Sequence, residues 1–198
     1  MDTGISFKYS NLLEYLTKFD ITQKDNNGHG THVISTILKD ACPQVKITIC
    51  KNWDKSWSHN KIFKETYKCY KKAIELKVDV FHYSGGGIGK DKLEEFYIQK
   101  MKKNGTLLVA AVGNEGKDLS KVPYYPASYK YSNIIPVGAL DTNGLPAGFS
   151  NYGKRIIWMP GVNVVAYGLN GLVKMNGTSM AAANYTNMLV KRFCKGLK

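Results

Sequence analysis

The sequence has no run approaching the roughly 18 consecutive apolar residues that a membrane span requires, which excludes a helical integral membrane protein. It has no internal repeat, low-complexity tract or long Pro/Ser linker, so collagen-like and coiled-coil chains are excluded and a single domain over residues 1–198 is expected. Its first residues, from Met1 to Lys8, lack the basic start and apolar stretch of a secretory signal. Cytoplasmic localisation is therefore the expectation, with no membrane partner. Cysteine is scarce. Cys42, Cys50, Cys69 and Cys194 are too widely spaced for a zinc knuckle or a Cys-x-x-Cys redox pair. Free thiols in a reducing compartment are expected, with Cys50 and Cys69 as small buried hydrophobes.

Negative charge is missing from the last part of the chain. All fifteen acidic residues lie at or before Asp141, while Lys154, Arg155, Lys174, Lys191, Arg192, Lys195 and Lys198 follow it. The whole chain carries a formal +13. The basic residues form no dense block and accompany no nucleic-acid motif, so a lysine-rich solvated surface is the plain reading and nucleic acid is not expected as a partner.

Enough apolar character is present for a packed core: 43% of the residues are hydrophobic and only 22% charged, which argues against wholesale disorder. β-rich runs alternate with helical ones. Strands are expected at 45–50, 78–84, 106–112 and 134–140, the third being apolar enough to be buried on both faces. Helices are expected from a Ser58 cap to about Lys77, over 90–103 and over 179–193. This alternation predicts an α/β fold, a mostly parallel twisted sheet flanked by helices, whose ligands bind at the carboxyl ends of the strands.

Four segments at such ends carry chemistry. They are Asp2-Thr3-Gly4, Asn27-Gly28-His29-Gly30-Thr31-His32-Val33, Ala110-Ala111-Val112-Gly113-Asn114-Glu115-Gly116 and Asn176-Gly177-Thr178-Ser179-Met180-Ala181. Taken singly each reads as a turn, a cap or a solvated terminus. Together they supply an acid, an imidazole, an amide and a hydroxyl, the set acyl transfer needs. A serine is a poor nucleophile until an imidazole takes its proton. A carboxylate fixes the imidazole tautomer and stabilises its cation. An amide and a main-chain N–H at a helix start stabilise the oxyanion.

These motifs, in this order, resemble those of the subtilisin-like serine proteases (subtilases, peptidase family S8). Val80-Phe81-His82-Tyr83-Ser84-Gly85-Gly86 is similar to the family's substrate-binding strand. Tyr125-Pro126-Ala127, Val137-Gly138-Ala139 and Phe149-Ser150-Asn151-Tyr152-Gly153 match further family signatures. The resemblance implies that Asp2 orients, His29 is the base, Ser179 the nucleophile and Asn114 the oxyanion donor. His32, His59 and His82 are assigned structural places. It further implies a serine endopeptidase acting on peptide or protein substrates. The peptide would pair with Ser84, Gly85 and Gly86, and Tyr124 would floor a shallow primary pocket that prefers small side chains. The basic end of the chain would favour acidic residues elsewhere in the substrate.

The sequence also departs from the family. Only Met1 precedes Asp2 where relatives have a buried apolar strand, so the sheet is expected to lose a central strand and Asp2 to hang on a mobile terminus. A pro-segment or a second chain would supply that strand. The competing expectation is a weak or inactive relative that binds peptides as a regulator. Ala183 and Asn184 replace a usual proline and histidine, so the last helix should run straight. No organic cofactor or catalytic metal is required. The stretch 39–44 is too short for the calcium loop of many relatives, so structural calcium is not indicated there.

Overall fold

The computed structural model describes residues 1–17 and 23–196. Lys198, one of the basic residues above, lies outside them. Strands β1 (Val80–Tyr83), β2 (Leu107–Ala111), β3 (Ile134–Leu140) and β4 (Ile157–Pro160) form one parallel sheet in that order. Parallel neighbours need crossovers. Helix α3 (His59–Leu76) enters β1, and α4 (Lys92–Lys103) crosses from β1 to β2. Ser58 Oγ caps α3 by accepting from the Lys61 N–H, and the Asp91 carboxylate caps α4 through the Leu93 and Glu94 N–H groups.

The alternation of β2 sorts its side chains between two cores. Leu108 and Ala110, with Val112 just beyond the strand, pack with Tyr70 of α3 and Ile98 and Met101 of α4. Val109 and Ala111 turn the other way, toward Val137 and Ala139 of β3 and Ala181 and Ala182 of α5 (Thr178–Cys194). The alanines bring α5 close to the sheet, and the helix runs without a break through Ala183 and Asn184. Helix α2 (His29–Ile37) lies beside α5, its Val33 and Ile37 packing on Met180 and Ala183. A short α1 (Ser10–Leu13) precedes it, and a hairpin of β5 (Val164–Gly168) and β6 (Gly171–Met175) precedes α5.

Three expectations need correction. Segment 45–50 is not a strand of the main sheet. It is held by isolated parallel bridges, Leu16 with Ile47 and Asp2 with Lys51. The reason is its distance from β1: Met1 and Asp2 fill one end of the space between them, and a cavity of about 790 Å³ fills the rest. Asp2 does not hang free, because its N–H donates to the Cys50 carbonyl and its carbonyl accepts from the Asn52 N–H. The cysteines are not free thiols: Cys42 is bonded to Cys194 and Cys50 to Cys69. Folding brings together pairs that are 152 and 19 residues apart in sequence.

Candidate active site

His29 is the first residue of α2, entered through Gly28 at φ +97°. Its Nδ1 lies 2.7 Å from Asp2 Oδ1. The carboxylate can only accept, so Nδ1 carries the hydrogen and Nε2 is left to take a proton. The Asp2 side chain is 8% exposed and that of His29 is 30% exposed, so the acid is buried while the ring reaches solvent. Burial disfavours the Asp2 carboxylate, but the His29 charge and hydrogen bond, the Met1 ammonium and the Thr3 N–H outweigh it and hold its pKa below the ordinary value. For His29 burial again opposes the charged form. The Asp2 charge and hydrogen bond, with the Asp25 charge, win and raise its pKa above the usual value.

Asp25 is the residue that sequence reasoning missed. It is buried, and its Oδ1 accepts from the Thr3 hydroxyl and the Asn27 and Gly28 N–H groups. Its Oδ2 accepts from the Thr31 N–H and hydroxyl. One carboxylate thus ties the Asp2 segment to the turn that presents His29. A carboxylate two residues before Asn27-Gly28-His29 was the available signal, since Asp side chains commonly accept from N–H groups just ahead of them.

Ser179 and Asn114 meet at the start of α5. Ser179 is buried at 6% exposure and is the second residue of the helix, so its N–H has no partner within the helix. Asn114 Oδ1 accepts from the Thr178 N–H at 2.9 Å, which leaves the amide NH₂ as the group available to a ligand. The Ser179 hydroxyl donates to the Ser84 carbonyl at 3.0 Å. Among the described residues no hydrogen bond joins Ser179 to His29.

Ser84 itself is fixed from behind by His82, a buried residue with a determined tautomer. The Thr186 hydroxyl donates to the Ala182 carbonyl, so it must accept from His82 Nδ1. Nε2 then accepts from the Ser84 hydroxyl at 2.6 Å. Burial, reinforced by the Met1 ammonium, lowers the His82 pKa to about 3 and keeps the ring neutral. Beyond Ser84 the chain runs through Gly85 and Gly86, and Gly87 exchanges main-chain hydrogen bonds with Tyr125. The Tyr124 ring lies between this strand and the Asn114 turn. A Cβ on Gly86 would come within 2.4 Å of Tyr124 Cε1, and one on Gly113 within 2.9 Å of Cδ2. Burial and the Glu115 charge push the Tyr124 pKa up to about 12, so its hydroxyl stays protonated.

The structure therefore brings Asp2 and His29 into contact, sets Asn114 at the helix start with Ser179, and places Tyr124 against Gly86. It does not pair Ser179 with His29. Among the described residues no cluster of three or more His, Cys, Asp or Glu side chains is arranged to hold a metal.

The sequence profile of the Subtilase family matches residues 9–192, a range that begins after Asp2. Subtilisin DY of Bacillus licheniformis is 32% identical over 201 residues, covering 92% of this chain and 70% of that protein. A thermostable alkaline protease of Halalkalibacterium halodurans is 35% identical, covering 79% of this chain and 44% of its relative. The chain spans about half the length of the major intracellular serine protease of Bacillus subtilis, at 32% identity over 83% of this chain. Among solved structures, the prenylagaramide maturation protease PagA is 25% identical, with a TM-score of 0.78 over 100% of this chain and 76% of that one. The chain belongs to the subtilase family of serine-type peptidases.

Proposed function

We propose that the protein cleaves peptide bonds by attack of Ser179, with His29 as base, Asp2 as its orienting acid and Asn114 as oxyanion donor. The observation that supports this most is the 2.7 Å contact between buried Asp2 and His29, the first residue of the helix that packs against the Ser179 helix. The Ser179 oxygen would attack the substrate carbonyl while its proton passes to His29 Nε2. The oxyanion would receive hydrogen bonds from the Asn114 amide and the Ser179 N–H. His29 then gives its proton to the leaving amine, and water hydrolyses the acyl-enzyme by the reverse sequence. No step calls on a metal or an organic cofactor.

The substrate would lie as an added strand along Ser84, Gly85 and Gly86. Tyr124 would block the space between that strand and Gly113, leaving room for a small side chain before the scissile bond. Cleavage of a peptide library is expected to be fastest after Ala, Ser or Gly, and Tyr124→Gly is expected to shift the preference to Phe and Leu. Unchanged preference in the variant would reject this pocket. The two disulfides support maturation in an oxidising compartment, in place of the cytoplasmic setting expected from the sequence. The strand beside Met1 would come from a pro-segment or a second chain.

A second reading, a peptide-binding relative of little activity, is favoured by one observation: the Ser179 hydroxyl is engaged by Ser84 and not by His29. Labelling with a fluorophosphonate probe decides between them. Adduct on Ser179, mapped by mass spectrometry and lost in Ser179→Ala, is expected for the peptidase. Its absence in the folded protein favours the binder.

A further inference from the structure

Strand β1 divides its side chains between two layers. Phe81 and Tyr83 enter the core beneath α3 and α4, while Val80 packs with Ala181 and Ala182 of α5. His82 shares the Val80 face and reaches α5, where its Nδ1 lies 2.9 Å from the Thr186 hydroxyl. Thr186 follows Ser179 by two turns, on the same face of that helix. Helix α5 therefore meets the end of β1 at two points, through Thr186 at His82 and through Ser179 at the Ser84 carbonyl.

One residue joins these two points. Ser84 donates its hydroxyl to His82 Nε2 at 2.6 Å, and its carbonyl accepts the Ser179 hydroxyl at 3.0 Å. The bonds run one way: Ser179 donates to Ser84, Ser84 to His82, His82 to Thr186, and Thr186 to the Ala182 carbonyl. Only a neutral imidazole can donate at one nitrogen and accept at the other. Burial above all lowers the His82 pKa to about 3, so the neutral ring is the form present near neutrality.

The main chain at this place has little else to fix it. Among the described residues no backbone–backbone hydrogen bond engages Ser84, Gly85 or Gly86, and the next one lies at Gly87, with Tyr125. Gly85 and Gly86 have no side chain to anchor, which leaves the Ser84 hydroxyl as the anchor of the stretch.

We propose that His82 is a positioning residue for the nucleophile: by fixing the Ser84 hydroxyl it aims the Ser84 carbonyl, which holds the Ser179 hydroxyl off His29 until a substrate strand takes that carbonyl. This rests on the peptidase reading above and gives a role to a histidine that the triad does not use. Two effects of opposite sign follow when the anchor is lost. A small reagent, which needs no strand pairing, meets a looser Ser179 and reacts faster. A peptide, which needs the aligned carbonyl, is cleaved more slowly.

The test uses the 198-residue chain with His82→Ala, His82→Gln, Ser84→Ala and the His82→Ala/Ser84→Ala double variant. In His82→Ala, kcat/KM for a peptide is expected to fall at least about tenfold, the size of one lost buried hydrogen bond. Fluorophosphonate labelling is expected to quicken at least about threefold as the released rotamer gains population. The glutamine amide oxygen reaches the place of Nε2 and accepts from Ser84, so His82→Gln is expected to restore most of the peptide cleavage. The double variant is expected to be no worse than His82→Ala, because both changes break one bond. Labelling and cleavage that fall together, or single losses that add in the double variant, overturn the proposal.

Nitrogen NMR of the parent imidazoles decides the matter even where His82→Ala fails to fold. At neutral pH His82 is expected to carry its proton on Nδ1, with an Nε2 signal that moves in Ser84→Ala. A proton on Nε2, or an unmoved signal, overturns the proposal. A parent protein that takes no adduct on Ser179 sinks the peptidase reading instead, and the imidazole signals still judge His82.

Discussion

At Asp2 one oxygen, Oδ1, accepts from both the Thr3 N–H and the His29 ring, while Oδ2 is buried with no partner in the structure. The residue thus spends its charge on His29, and the pH response follows. His29 must be neutral to act as base, and its pKa is raised, so kcat/KM is expected to climb with pH along a limb centred above 6.5. Asp2→Asn removes the Asp2 charge that raises it, leaving the Asp25 charge to work against burial. The limb is expected to move to lower pH, with kcat down by roughly 10⁴-fold. A pH–rate profile of the two proteins checks the sign, and an unmoved limb would count against Asp2 as the partner. Asp2, His29, Asn114 and Ser179 stand in short sequence patterns whose residue types fit one chemistry. Asp25 was legible only in part: a carboxylate ahead of Asn27 and Gly28 signals a turn, but its bond to Thr3 on another segment is recorded in no single pattern.

Helix α2 and the Asp2–Thr3–Gly4 segment touch backbone to backbone. A Cβ on Gly30 would lie 2.3 Å from the Gly4 carbonyl oxygen and 3.0 Å from Thr3 Oγ1, which accepts the Gly30 N–H. Gly30→Ala should stabilise an isolated helix by propensity, yet here it must push α2 away from the segment holding Asp2. The expected outcome is a loss of about 1–3 kcal/mol in stability and slower fluorophosphonate labelling. Gly148→Ala, with nothing within 4 Å of the new Cβ, serves as the neutral control. A Gly30→Ala protein as stable and as reactive as the parent would show that this approach does not set the site. The helices and the central strands were legible because their apolar spacing is long and regular, with Ser58 marking one start. The β5–β6 hairpin was passed over although Asn170-Gly171 sits between apolar runs at its turn, a sequence signal for a hairpin. Segment 45–50 has strand composition, but pairing depends on a neighbour, and among the described residues its neighbour toward β1 is the short Met1–Asp2 stretch.

Across the whole molecule the two disulfides fasten parts that the sheet does not. Cys50–Cys69 ties the extended 45–51 segment to α3, and Cys42–Cys194 ties the turn after α2 to the end of α5. In the chain-entropy account, closing loops of 152 and 19 residues stabilises by about 5 and 3 kcal/mol. Replacing Cys42 and Cys194 by Ser is therefore expected to lower the urea midpoint more than replacing Cys50 and Cys69. The reverse order would mean that the denatured chain is already compact around α5. Neither pairing was legible, since spacing alone does not fix connectivity, and both rest on tertiary contacts. Net charge was legible to the last residue, but its placement was not. Lys191 and Arg192 lie together in the last turn of α5, where they also face the negative end of the helix.

The Cys42–Cys194 link has a further effect on a chain that is itself made of peptide bonds. A single cut at any bond between those two cysteines yields two pieces, each carrying one half of the link. They remain one covalent molecule until a reductant is added. Self-digestion of this protein would then pass unseen on a gel run without thiol, and the nicked form would keep Ser179 and His29 in one covalent molecule.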